Sequence, residues 1–89
     1  MNTQIYYLMR CNEWKNADDM RLILITTSEE RLCEVIRSEI EAGNMEYNGN
    51  TIEEMIANFN EDWKRERRDY INGLLQYGYY DYTHDGELM

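Results

Sequence analysis

Proline is absent from this chain of 89 residues. The sequence therefore contains no rigid proline spacer and no segment that reads as a linker between domains. There is one histidine, His84. It is expected in a surface turn beside Asp85, and no serine or cysteine can be placed next to it by pattern, so no nucleophile–base pair is indicated. The cysteines number two, Cys11 and Cys33. Their spacing fits neither a metal site nor a redox pair. No basic stretch followed by an apolar one opens the chain, so no secretory signal is expected, and reduced thiols in a cytoplasmic protein follow. No apolar run approaches the roughly 18 residues that a membrane span needs. No glycine-rich phosphate loop is present. Basic residues are also scarce, with nine Lys and Arg against eighteen Asp and Glu and a formal net charge of −9. That balance excludes non-specific nucleic-acid binding, which requires cations to displace counterions. It favours a partner with a basic surface.

What the chain does contain is apolar and aromatic material. Hydrophobic residues make up 43% and aromatic residues 12%, a globular composition. A chain of this size buries somewhat over about 60% of its unfolded surface, enough for one modest core without metal or disulfides. Residues 1–89 are expected to form a single compact domain.

The longest periodic segment runs from Thr51 to about Gly73. Ile52, Met55, Ile56, Phe59, Trp63 and Tyr70 recur at helical steps and predict one amphipathic helix. Thr51 and Glu54 have the spacing of a capping box, and Gly73 is the expected stop. A preceding helix is predicted from a cap at Thr27 or Ser28 to about Ala42, with Gly43 as its stop. Leu32, Val35, Ile36 and Ile40 form its buried stripe, with Cys33 at the edge as a small core hydrophobe. Glu30, Glu34, Arg37 and Glu41 form its solvated face, where Arg37 and Glu41 can pair.

Gln4 to Cys11 reads as a strand, with Ile5, Tyr7, Met9 and Cys11 on one face and Tyr6, Leu8 and Arg10 on the other. Met20 to Thr26 reads as a second strand, apolar on both faces and so suited to the sheet interior. Trp14, in the polar connection between them, either folds back on the sheet or serves as an exposed contact. Met45 to Tyr47 has the character of a short strand. A last strand spans Leu74 to Thr83, or Tyr77 to Thr83 if the helix runs on, and ends at the Asp85-Gly86 turn. The predicted fold class is α+β: a mainly antiparallel sheet of three to four strands with two helices packed on one face.

Asp18-Asp19 resembles half of a hard-cation site, but no further ligands follow at loop spacing. No metal and no cofactor are expected, and an enzyme is not indicated. Lys64-Arg65-Glu66-Arg67-Arg68 is the one basic cluster. Interleaved Glu61, Asp62 and Asp69 make surface ion pairs its expected role, and direct nucleic-acid binding is not.

Two features suit protein binding. The tail combines Tyr77, Tyr79, Tyr80 and Tyr82 with Asp81, Asp85 and Glu87. Tyrosine supplies contact area at low entropy cost, and the carboxylates complement a basic partner. On the first helix Glu30, Glu34 and Glu41, with Glu39 nearby, recur at about one or two turns of roughly 5.4 Å each, an interval that can imitate a row of phosphates.

Small size, acidity, missing catalytic residues and abundant aromatics together resemble the small anti-defence proteins of phages and mobile elements, such as anti-CRISPR inhibitors. The resemblance implies a non-enzymatic inhibitor that binds a nuclease effector complex and blocks its nucleic-acid-binding surface. Trp14, Glu30, Glu34, Glu41, Tyr77, Tyr79, Tyr80, Asp81, Tyr82, Asp85 and Glu87 are the expected partner-binding residues. The alternative is a regulatory domain that forms a homodimer through the last strand or the tyrosine surface.

Overall fold

A computed structural model of the chain describes residues 4–12, 14–15 and 17–84. Strand β1 (Gln4–Arg10) leads through a short 3-10 turn (Ala17–Asp19) to strand β2 (Arg21–Thr26). Three helices follow, α1 (Glu29–Glu41), α2 (Ile52–Lys64) and α3 (Arg68–Leu74), and then strand β3 (Gly78–His84). The strands form one antiparallel sheet in the order β2-β1-β3. The α+β class is as the sequence predicts, with three helices where two were expected. Among the described residues no helix is long and apolar enough to cross a membrane.

Strand β1 lies at the centre and β2 at the edge, whereas the sequence suggested an interior position for β2. The reason is a bulge. Leu8 pairs with Leu24 but Met9 pairs with Leu22, leaving Ile23 as the extra residue. A bulge breaks strict alternation, and both Ile23 and Leu24 pack against the core. Apolar residues in succession therefore reflect an irregular edge here, not burial on both faces. Residues Leu22 and Ile25 are left 54% and 57% exposed.

The predicted long helix is two helices. Trp63 is the last apolar residue of α2, and the next positions of that stripe are Glu66 and Arg67, which have nothing to bury. Arg65 and Glu66 instead donate from their backbone amides to the carbonyls of Asp62 and Trp63, at 3.1 and 3.0 Å. Glu66 takes a left-handed φ of 54°, and the chain turns so that Ile71 of α3 reaches the core. Tyr70, seven positions past Trp63, is 45% exposed. Gly73 lies inside α3 and stops nothing; the helix ends at Leu74 with Leu75 as its cap. Elsewhere the terminal signals act as read. Ser28 caps α1 by accepting from the Arg31 amide at 3.1 Å, and Thr51 caps α2 by accepting from the Glu54 amide at 3.1 Å. Glu54 reaches back to the amide of Asn50, at 2.8 Å, one residue earlier than a capping box requires. Gly43 follows α1 with φ of 82°, which an L side chain adopts only with strain.

The expected Met45–Tyr47 strand is reduced to a single bridge, in which Glu46 and Gln76 exchange backbone hydrogen bonds of 3.1 and 2.8 Å. It pins the connection so that Met45 and Tyr47 are buried. The core joins Leu8 and Tyr80 of the sheet to Leu32, Ile36 and Ile40 of α1, Phe59 of α2, and Ile71 and Leu75. A run of rings ties the layers together, Tyr47 to Phe59 to Trp63 to Tyr80, with centroids 5.6, 5.4 and 5.2 Å apart. Both Cys33 and Cys11 are buried free thiols. Burial pushes each thiol pKa up.

Met45 is fully buried and its sulfur lies where a side chain on Gly78 would begin: a Cβ there would run into Sδ and sit 2.8 Å from Cε. Gly78→Ala is expected to cost about 1–3 kcal/mol through overpacking, read as a lowered urea midpoint with an unchanged slope. Adding Met45→Ala should recover part of the Gly78→Ala loss relative to Met45→Ala alone.

Candidate protein-interaction site

Alternation along β3 divides the tyrosine cluster between two faces. Tyr80 and Tyr82 lie on the helix side and Tyr79 and Asp81 on the other. Tyr80 is 6% exposed and packs in the core. Its phenol pKa is strongly raised by burial, so it presents no contact surface. Tyr82 is 38% exposed, beside Tyr6 at a centroid distance of 6.0 Å. Tyr77 is exposed and precedes β3 with a left-handed φ of 68°. Trp14 is 76% exposed, which settles its two readings in favour of the exposed one. Asp85 and Glu87, and the expected turn at Asp85-Gly86, lie outside the described residues. His84 ends β3, its backbone paired with Gln4.

Asp81 is the polar centre of this region. Its Oδ1 accepts from Arg68 Nη1 at 2.6 Å, and its Oδ2 accepts from the hydroxyls of Tyr7 and Tyr79 at 3.3 and 3.2 Å. The phenols of Tyr7 and Tyr79 are raised in pKa, first by burial and then by the Asp81 charge. Arg68 also lies over the Tyr82 ring, 4.6 Å from its centroid. The basic cluster read from the sequence is thereby dispersed. Arg67 covers Tyr70 at 4.5 Å, Arg65 meets Glu61 at 3.8 Å, and the break between α2 and α3 divides the cluster between two helices. Asp69 meets Arg68 at 3.6 Å.

The outer edge of β3 is closed by its own chain. Asn72 of α3 uses both halves of its amide on Tyr80: Nδ2 donates to the Tyr80 carbonyl at 2.8 Å and Oδ1 accepts from the Tyr80 amide at 3.1 Å. The next outward amide, that of Tyr82, donates to Asp81 Oδ1 at 2.8 Å. Lys15 from the β1–β2 connection donates to the Asn72 carbonyl. Sequence reasoning missed Asn72, because a single Asn in a helix carries no signal of a sheet edge beside it.

On α1, Glu30, Glu34 and Glu41 are exposed, and Glu34 meets Arg31 at 3.5 Å with both side chains more than half exposed. Glu39 differs from its neighbours. Its carboxylate accepts from Arg10 Nε of β1 at 2.5 Å and from Asn44 at 3.4 Å, and the Arg10 bond holds its pKa below the ordinary range. It is a strut between helix and sheet. Arg37 bonds Asn60 of α2 at 3.3 Å in place of the expected Glu41. A cleft of about 280 Å³ opens between the sheet and the α2–α3 corner, lined by Tyr6, Tyr80, Tyr82, Trp63, Glu29, Glu66 and Arg68 together with Gln4. Burial raises the Tyr6 phenol pKa, and the Glu29, Tyr82 and Glu66 charges raise it further. Aromatic walls with two carboxylates at hand suit a cationic side chain. Among the described residues no group of acids, His and Cys is arranged to hold a metal.

Two predictions follow from these contacts. Asn72→Ala strips partners from a buried strand edge and is expected to cost about 1–3 kcal/mol in chemical denaturation. Glu39 has its pKa depressed in the folded state, so its contribution is complete above its unfolded pKa, near 4.5, and is lost as pH falls through the lower folded value. Glu39→Gln should lower the melting temperature at pH 7 and flatten its decline on acidification below that value. No known protein family, curated protein or solved structure matches this chain.

Proposed function

We propose that the protein is a non-enzymatic inhibitor that binds a basic protein surface, of the kind that a defence nuclease complex offers to nucleic acid. The observation that carries this reading is the unequal use of charge. Arg10, Lys15, Arg31, Arg37, Arg65, Arg67 and Arg68 are each held by a contact within the chain. Glu30, Glu41 and Glu53 stand exposed with no ion pair or side-chain hydrogen bond among the described residues. Seven of the nine cations thus have a partner within the chain, Arg21 and Lys64 standing exposed without one among the described residues, while these anions point outward on α1 and at the start of α2. Such a surface attracts a cationic partner over about a Debye length and repels nucleic acid. The aromatic cleft beside Glu29 adds a place for an Arg or Lys of the partner.

The test is inhibition of DNA cleavage by purified CRISPR effector complexes, at low and at raised salt. The protein is expected to slow at least one of them, with inhibition weakening as salt rises. Reversing Glu30, Glu34 and Glu41 to Lys should reduce apparent affinity by at least tenfold while the melting temperature stays close to that of the wild type. Inhibition indifferent to both salt and reversal would overturn the electrostatic reading.

A further inference from the structure

The two edges of the sheet are treated differently. On β3, Asn72 occupies both outward backbone groups of Tyr80, and Asp81 accepts from the outward amide of Tyr82. On β2 nothing does. Tyr7 and Met9 pair with Asp81 and Tyr79 on the β3 side and with Ile25 and Leu22 on the β2 side. Because Tyr80, opposite Leu8, turns its backbone outward, ladder alternation directs the backbone groups of Tyr7 and Met9 toward β3. The backbone groups of Ile25 and Leu22 then point away from the sheet. Among the described residues no side chain or backbone group bonds them. Their side chains are the exposed apolar ones, continuous on the helix-free face with Ile5, Tyr7, Met9 and Tyr79, none of which is buried.

We propose that the outer edge of β2 is a docking site for an extended strand of a basic partner, added antiparallel or parallel to Leu22–Ile25. This rests on the basic-partner reading above and gives it a location. Strand addition supplies main-chain hydrogen bonds, and Leu22 and Ile25 supply the apolar contact. Charge selects the occupant. Asp18 and Asp19 stand just before β2, and Glu29 and Glu30 just after it, all four exposed. A second copy pairing antiparallel about a two-fold axis would bring Asp18 and Asp19 against the Glu29 and Glu30 of its partner, like charges at both ends of a six-residue strand. Arg21 offsets only part of this. A strand with Lys or Arg at its ends meets opposite charge at both.

The test uses a synthetic peptide of alternating valine and threonine with a lysine pair at each end, added at millimolar concentration to the full chain. Amide hydrogen exchange is followed by NMR. Exchange at Leu22 and Ile25 is expected to slow at least fivefold, with no change at Tyr82. The same peptide N-methylated on alternate residues, or flanked by glutamates, should give no protection. Asp18→Lys with Glu30→Lys, both at exposed positions, should abolish the effect without loss of folding. No protection by the lysine peptide, equal protection by the glutamate peptide, or concentration-dependent protection of Leu22 and Ile25 without peptide would each overturn the proposal, the last by showing a second copy on the edge. Cleavage inhibition without peptide protection would leave the inhibitor reading standing and remove this location for it.

Discussion

The central ladder of β1 is the constraint on which the rest depends. Leu8 is fully buried, with Leu24 opposite it on one side and Tyr80 on the other. Holding these residues in one row gives the helices a single apolar surface to cover. Arg10 carries the same ladder to α1 through Glu39, and Asn72 carries α3 to β3. A small domain has few such ties, and each therefore decides a large share of its geometry.

Among the described residues that arrangement leaves one side of the sheet uncovered and closes one of its two edges. The acids of α1 and the uncovered face consequently lie on different layers, and the tyrosines are split between core, cleft and open face. A partner engaging only the acidic helices would contact little apolar surface. One engaging the β2 edge would combine hydrogen bonding, apolar contact and flanking charge, which is the usual composition of a specific interface.

Much of the architecture was legible because it depends on local physics. Ser28, Thr51 and Gly43 act as helix-terminal signals because capping involves only residues a few positions away. The buried stripe of α1 follows from 3.6-residue periodicity, and Leu32, Ile36 and Ile40 are all buried as read. The misreadings share a cause. Tyr70 continued the period of α2 numerically, but Glu66 and Arg67 interrupted its apolar face, and burial of Ile71 was worth more than an unbroken helix. Met20 to Thr26 read as an interior strand because a bulge and a two-sided strand produce the same apolar run.

By itself the sequence determined the mixed class, the helix caps, the buried stripe of α1 and the excess of negative charge, all of which depend on composition or near neighbours. Only the tertiary structure decided which strand is central, which edge is closed and where each tyrosine faces. Those outcomes depend on contacts between residues far apart in the chain, such as Leu8 with Tyr80 within the sheet and Arg10 with Glu39 between sheet and helix. No local propensity encodes them, because each partner is chosen by the packing of the layers and not by its neighbours in sequence.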